Sequence, residues 1–261
     1  MPTVVLLPPS QGKADGGRGR PWETAPKAFP ELTDERRRVR DAVRRAIAEG
    51  DAERLLGARG PHLAAALADW DALDEAGTLP AARRYRGVVW EALAVDALSP
   101  AARRRLNARV LVPSGLWGLL AARDAVPAYR LAMGASVPGL GSLAAHWRPH
   151  VTAAIARRAE GAWVIDLLPM EHAASLDPAG LGSARLLRVA IVEEGDGGRR
   201  ALGHAGKALK GRLAREILER DARTPAAVAA LEVPGLRLAG VHAPRGTPVA
   251  EVTFAPAAAR A

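Results

Sequence analysis

Three short apolar runs, each stopped by proline or by a Pro-Ser pair, constrain this chain more than any other feature. Thr3–Leu7 (TVVLL) ends at Pro8 and Pro9, Arg109–Pro113 (RVLVP) leads into SGLWGLL, and Trp163–Leu168 (WVIDLL) ends at Pro169. Runs this short, rich in β-branched residues and closed by a residue that cannot continue a helix, read as buried strands. Ala128–Met133 is a further candidate strand. Leu186–Glu193 and Arg200–His204 flank a GDGG turn, and Leu236–Ala243 and Pro248–Phe254 flank PRGT; both pairs read as hairpins. Between these runs the apolar spacing changes to that of helices. Thr33 is placed to cap a helix with Asp34 and Glu35 in its first turn and Arg36 where a capping-box acid would sit; Val39, Val43 and Ile47 form its apolar face and Gly50 ends it. Asp51–Leu56, His62–Leu73, Val88–Ala97 and Pro100–Ala108 are shorter helices. Leu143–Glu160 is a helix interrupted or kinked at Pro149, and Lys207–Arg220 is amphipathic, with Leu209, Leu213 and Ile217 on one side. Strands and helices interleaved in this way predict an α/β fold: a single compact domain over residues 1–261, a mixed β-sheet with surrounding helices. Neither an internal repeat nor a linker divides it, and Ser10–Pro30 is a long loop rich in Gly, Pro and charge.

Composition narrows the chemistry. With six Trp, two Tyr and two Phe, the core must be mostly Ala, Leu and Val. There is no cysteine, so disulfides, thiolate nucleophiles and Cys-ligated metal centres are excluded. The six histidines are scattered and EHAASLD is not HExxH, so neither a metal nor a cofactor is expected. VVLLPP is too short for the apolar part of a signal peptide, and no apolar run is long enough to span a bilayer. The expectation is a soluble, cytoplasmic protein with no membrane partner. The net charge of +9 favours polyanions as partners. Of the 37 basic residues only Lys13, Lys27, Lys207 and Lys210 are lysines, which leaves 33 arginines. Codon bias accounts for part of that skew. Where arginine is the default cation, a retained lysine still points to a place that needs a compact ammonium.

Four stretches carry candidate chemistry. In PPSQGKADGG, directly after the first strand, Gly-flanked amides with Lys13 suit an anion, although the spacing is not that of a Walker A loop. In PSGLWGLLAARDAVPAYRLAMG, Tyr129 and Arg130 alternate sides if the chain is extended, one toward a site and one away; no GxSxG elbow supports a Ser–His–Asp triad there. VPGLGS, with Gly139, Gly141 and Ser142, has the Gly-x-Gly spacing of the hairpin in a helix–hairpin–helix element, where backbone amides and a following helix N-terminus approach phosphate; His146 and Trp147 lie on that helix. In GHAGKALKGR, His204 ends a strand, Gly206 turns, and Lys207 and Lys210 fall one turn apart near a helix start with Arg212 beyond them. Two cations at the positive end of a helix dipole make most sense with a bound anion.

Taken in order, VVLLPPSQGK, RRYRGVVWEAL, VLVPSGLWGLL, VPAYRLAMG, LAAHWR, WVIDLLPMEHA and HAGKALKGRLAREIL resemble the YaaA-like peroxide-stress protein family across nearly the whole chain. The resemblance implies a compact α/β fold with a positively charged cleft, a helix–hairpin–helix-like element, binding of double-stranded DNA and protection against hydrogen peroxide. The loop PPSQGKADGG departs from the family's shorter SPAKT-type sequence, while the Lys207–Lys210 pair is kept. Two functions follow. One is sequence-nonspecific DNA binding through Lys13, Gly139, Gly141, Ser142, Lys207, Lys210 and Arg212. The other is an enzyme acting on a nucleotide, nucleoside or other anionic small molecule, with a cleft lined by Ser10, Lys13, Arg86, Tyr129, Arg130, His146, Trp147, Asp166, Lys207 and His204. No catalytic residue is assigned. The two functions separate on geometry: a concavity too narrow for a duplex favours the enzyme, an open groove favours DNA.

Overall fold

The computed structural model describes residues 3–195, 198–201, 204–244 and 247–257, with side chains described for residues 3–192, 206–244 and 247–257. In chain order the strands are β1 (Val4–Leu6), β2 (Leu79–Pro80), β3 (Val110–Ser114), β4 (Gly118–Ala121), β5 (Ala125–Val126), β6 (Ser136–Val137), β7 (Gly141–Ser142), β8 (Trp163–Asp166), β9 (Arg185–Gly195), β10 (Gly198–Ala201), β11 (Leu236–His242) and β12 (Val249–Pro256). The helices are α1 (Thr33–Ala48), α2 (Ala52–Leu56), α3 (Gly60–Asp71), α4 (Ala81–Arg84), α5 (Val88–Leu93), α6 (Pro100–Arg109), α7 (Leu143–Arg158), α8 (Met170–Ala173), α9 (His204–Glu219) and α10 (Pro225–Ala229). The fold is mixed α/β, as the interleaved pattern predicts.

Seven strands form one sheet in the order β11-β12-β9-β8-β1-β3-β4, and β10 extends it as a hairpin with β9. The centre is parallel: β1 pairs with both β3 and β8, β8 with β9, and β9 with β12. The antiparallel pairs are β3 with β4, β11 with β12, and β9 with β10. Val4, Val5, Leu6, Val164 and Ile165 are fully buried, which explains why the central runs are apolar throughout rather than alternating. One continuous core reaches from Val4 to Phe254 and is dominated by Ala, Leu and Val.

This order places the site. From β1 the chain reaches β3 on one side and later β8 on the other, so strand order reverses at β1. In open parallel sheets, ligands bind outside the carboxyl ends of the strands at such a reversal. Here those ends carry Pro8–Lys13 after β1, Ser114 at the end of β3, and Asp166–Leu168 at the end of β8.

Several local expectations change. Thr33 does not cap α1: a 3-10 turn, Pro30–Leu32, runs straight into the helix, and the Thr33 amide donates to the Pro30 carbonyl. Arg36, at the position a capping-box acid would take, is fully buried and donates to the carbonyls of Phe29, Trp117 and Leu119 at 3.1, 2.8 and 2.6 Å. The Val88–Ala97 helix stops at Leu93, because Ala94 is left-handed (φ 49°) and a 3-10 turn follows. Residues 128–133 join no strand ladder and a turn begins at Met133, although Tyr129, Leu131 and Met133 are buried alternately. α7 runs on through Pro149. His204 begins α9 instead of ending a strand, so Gly206 lies within the helix and not at a turn. The VPGLGS segment is a hairpin, β6 paired with β7, leading directly into α7. An irregular segment with a turn at Met133–Gly134, not a helix, precedes it.

Candidate functional site

The loop after β1 is held from several directions. The Trp90 indole donates to the Pro8 carbonyl at 3.0 Å. The Arg86 amide donates to the Gly12 carbonyl and the Ala14 amide to the Arg84 carbonyl. Gly87 adopts φ +133°, and a Cβ there would meet Ser10 Oγ, so glycine is required where the two segments touch. Arg84 is fully buried and has no carboxylate partner among the described residues. Its guanidinium donates to the carbonyls of Ala14, Gly16, Gly77 and Val126. It pins the loop just past Lys13.

Lys13 turns its ammonium back over this loop. Nζ donates to the Ser10 carbonyl at 2.8 Å and the Gln11 carbonyl at 3.3 Å. It lies 4.2 Å from the centre of the Tyr129 ring and 5.7 Å from that of Tyr85. Burial, with Arg130 and Arg84 nearby and only Asp69 opposing, lowers its pKa to about 7. Below the rings runs a buried hydroxyl chain, with the Tyr129 hydroxyl 2.8 Å from that of Tyr85 and 2.7 Å from Ser114 Oγ. Ser114 Oγ also accepts from the Trp117 amide. Burial pushes the Tyr129 phenol up to about 12 and raises Tyr85, so both stay protonated at neutral pH.

The end of β8 repeats the arrangement. Lys210 Nζ donates to the carbonyls of Leu167 and Leu168 at 3.1 and 3.2 Å. Asp166 is buried and accepts from the Leu168 amide at 2.8 Å. Burial lowers the Lys210 pKa, opposed by Asp166; burial raises Asp166, opposed by that hydrogen bond and by Lys210 and Arg188. α9 brings Lys210 this close because Gly211 packs directly on the Val89 carbonyl and Ala92 of α5.

The sheet supplies a third wall. Strand register puts Asp166, Arg188 and Glu251 side by side across β8, β9 and β12. α8 forms the rim: Met170 is 90 % exposed, Glu171 accepts from the Gly134 amide at 2.9 Å, and His172 keeps a buried Nδ1 with no hydrogen-bond partner among the described residues. Burial lowers the His172 pKa, so the ring is neutral at pH 7. Together these walls enclose a cleft of about 870 Å3.

Of the residues anticipated from sequence, Ser10, Lys13, Tyr129, Asp166, Lys207 and Lys210 line this cleft. Tyr129 and Arg130 do alternate: Arg130 turns away and donates to the Leu56 and Gly57 carbonyls at the end of α2. Arg86 has an exposed side chain outside the cleft and joins the loop only through its main chain. His146 faces α1, with Nε2 2.8 Å from Glu35. Trp147 is a core residue whose indole donates to the Gly115 carbonyl. Arg212 is exposed and reaches the Pro234 carbonyl. Gly139, Gly141 and Ser142 are exposed on the hairpin, outside the cleft lining. The His204 side chain lies outside the described residues. Sequence reasoning did not single out Arg84, His172, Arg188 or Glu251. Arg84 sits inside the conspicuous RRYRG string, whereas Arg188 and Glu251 meet Asp166 only through strand register.

The fold and cleft define a mixed α/β protein with an ionisable site at the carboxyl ends of parallel strands. Comparison with known proteins gives it a family. The model of the peroxide stress protein YaaA family matches residues 3–240. A UPF0246 protein of Streptomyces coelicolor is 38 % identical over 220 residues, 82 % of each chain. A UPF0246 protein of Corynebacterium efficiens is 36 % identical over 232 residues, 87 % of this chain and 90 % of the relative. One from Corynebacterium glutamicum strain R is 32 % identical over 228 residues, 85 % and 88 % respectively. The chain belongs to the YaaA peroxide stress protein family.

Proposed function

We propose that this protein is an enzyme acting on an anionic small molecule of nucleotide, nucleoside or sugar-phosphate size, and that its reaction serves protection against peroxide. One observation carries the reading. The segments after β1 and β8, the face of β9 and the start of α9 bring Lys13, Asp166, Arg188, Lys207 and Lys210 into one cleft of about 870 Å3, inside the range of small-molecule sites. Lys13, Arg188, Lys207 and Lys210 line it beside Asp166, Glu171 and Glu251, and the exposed Arg188 and Lys207, which form no ion pair among the described residues, suit an anion. A surface that only gripped phosphates would have no use for a lysine with a pKa of about 7 or a carboxyl pushed upward by burial. Thermal denaturation with nucleoside mono- and diphosphates, sugar phosphates and short duplexes tests this. Stabilisation by a small anion, weakened in Lys207→Ala, is the expected result. Stabilisation by duplex alone would overturn it.

A second reading, binding of double-stranded DNA, has its own support. Gly139 and Gly141 both adopt positive φ on an exposed hairpin that feeds the N-terminus of the 16-residue α7. Backbone amides there can approach phosphate without a side chain in the way. Duplex affinity at this hairpin would fall steeply with salt. Gly139→Asp would abolish it and leave small-anion binding in the cleft unchanged.

A further inference from the structure

The neighbours of Lys13 leave it without a counter-ion inside the cleft. Among the described residues it forms no ion pair; Nζ touches two main-chain carbonyls and the face of the Tyr129 ring. A neutral amine satisfies both carbonyls with its two N–H groups and keeps its lone pair. Arg84 and Arg130 disfavour a further positive charge, Asp69 alone opposes them, and Tyr85 and Tyr129 remain neutral. The other lysines differ. Lys210 faces Asp166, Lys27 sits by Trp22 and Glu23 away from the cleft, and Lys207 is exposed. In the same cleft, the exposed side chains of Lys207 and Arg188 form no ion pair among the described residues, which suits them to a phosphate.

We propose that the Lys13 amine forms an imine with the aldehyde carbon of a phosphorylated open-chain sugar whose phosphate is held by Lys207 and Arg188. The proposal rests on the reading of the cleft as a reaction site for a small anion. Nζ adds to the aldehyde carbon, and the carbonyl π pair moves to oxygen, which takes one proton from the nitrogen. The resulting hydroxyl leaves as water with the second nitrogen-derived proton as C=N forms. The sum is amine plus aldehyde giving imine plus water, with no oxidant or reductant. Asp166, on the same cleft with its pKa raised, is the carboxyl group available to relay a proton to the departing oxygen. The same chemistry, an aldehyde beside a phosphate, is presented by a free sugar phosphate and by the ring-opened sugar of an abasic site in DNA.

The test is reductive trapping of the full-length protein with sodium cyanoborohydride, read by peptide mass spectrometry. Ribose 5-phosphate, ribose and a duplex with one abasic site are the probes. The expected product is an adduct on the Lys13 peptide with the mass of the aldehyde less one oxygen. Its formation rises as pH passes through about 7, and it is absent in Lys13→Arg. Trapping by ribose 5-phosphate but not by the abasic duplex assigns the free sugar phosphate as the source, and the reverse assigns DNA. Ribose itself should trap about tenfold less, the loss of a charge-assisted contact; equal trapping would overturn the role of Lys207 and Arg188. An adduct absent from Lys13, or spread evenly over Lys13, Lys27 and Lys207 in the wild-type protein, would overturn the imine. Calorimetry with ribitol 5-phosphate, which has the phosphate and no aldehyde, separates the two levels. Binding without trapping sinks the imine and leaves the cleft reading intact, whereas no binding of either phosphate together with no trapping of the abasic duplex sinks both.

Discussion

At the ends of β1 and β8, two adjacent parallel strands, the same contact is built twice and set differently. Lys13 and Lys210 each donate to two consecutive main-chain carbonyls just beyond their strand, and burial depresses both pKa values. The difference lies in what stands behind each ammonium. Lys210 has the buried carboxyl group of Asp166, which opposes the loss of its proton. Lys13 has two guanidinium groups, Arg130 and Arg84, and only Asp69 in opposition. With the same pattern of hydrogen bonds, one lysine keeps a carboxyl group that opposes the loss of its proton and the other has its pKa lowered to about 7. Burial lowers the pKa in both places, and the neighbouring charges decide by how much.

The comparison can be broken most forcefully from the Lys13 side. Arg84→Met leaves four main-chain carbonyls without their buried donor and should cost about 3 kcal/mol or more, measured by urea denaturation. It should also raise the apparent pKa of Lys13, since it removes one of the charges that lowers it. Gly211→Ala attacks the other side. A Cβ there meets the Val89 carbonyl and Ala92, so α9 must shift from α5, at a cost of about 1–3 kcal/mol. The pH behaviour of Lys13 should survive that change; if it does not, the two strand ends are coupled and not merely similar. Tyr129→Phe removes the central hydroxyl between Tyr85 and Ser114, with an expected loss of about 1–2 kcal/mol.

The smallest effect sharpens the comparison through linkage. The folded-state pKa of Lys13 is about 7 against an ordinary 10.5. Between those values the unfolded chain binds more protons, so this group makes stability rise with pH across that window, and its full destabilising effect is present below pH 7. Lys13→Met should flatten the rise in denaturation midpoints measured from pH 7 to 10. Lys210→Met should remove a rise of the same sign. Asp166 has the opposite sign: its raised pKa means that the folded state holds its proton longer, so its contribution falls as pH climbs through that pKa. An unchanged slope in Lys13→Met would mean that the amine is as solvated as any surface lysine.

The legibility of the chain follows the range of the forces involved. β1, β3 and β8 were readable because a buried parallel strand is apolar at every position and proline marks its end. α9 was readable from Leu209, Leu213 and Ile217. β4 was not marked as a strand, since Gly118–Ala121 pairs only by folding back on β3. Residues 128–133 show strand-like alternation of burial, yet no neighbouring strand completes a ladder with them. The cleft was half readable. Lys13, Tyr129, Asp166, Lys207 and Lys210 sit in compact motifs, whereas Arg188 and Glu251 reach the site only through the register of β9 with β8 and of β12 with β9.

What the sequence determined by itself is the strand-and-helix order, the family and the short list of places where lysine replaces the prevailing arginine. Tertiary structure decided what those cations do. Lys13, Lys27 and Lys210 each hold a pair of main-chain carbonyls, a task that suits a compact amino group on a flexible stem. Lys207 stays exposed at the cleft. Arg36, Arg84 and Arg109, which composition alone would assign to the surface, are buried and clamp distant segments through main-chain carbonyls. Periodicity and turn chemistry act over a few residues and can be read along the chain. The solvation and charge environment of an ionisable group is a sum over neighbours brought from everywhere in the sequence, and it exists only once the chain has folded.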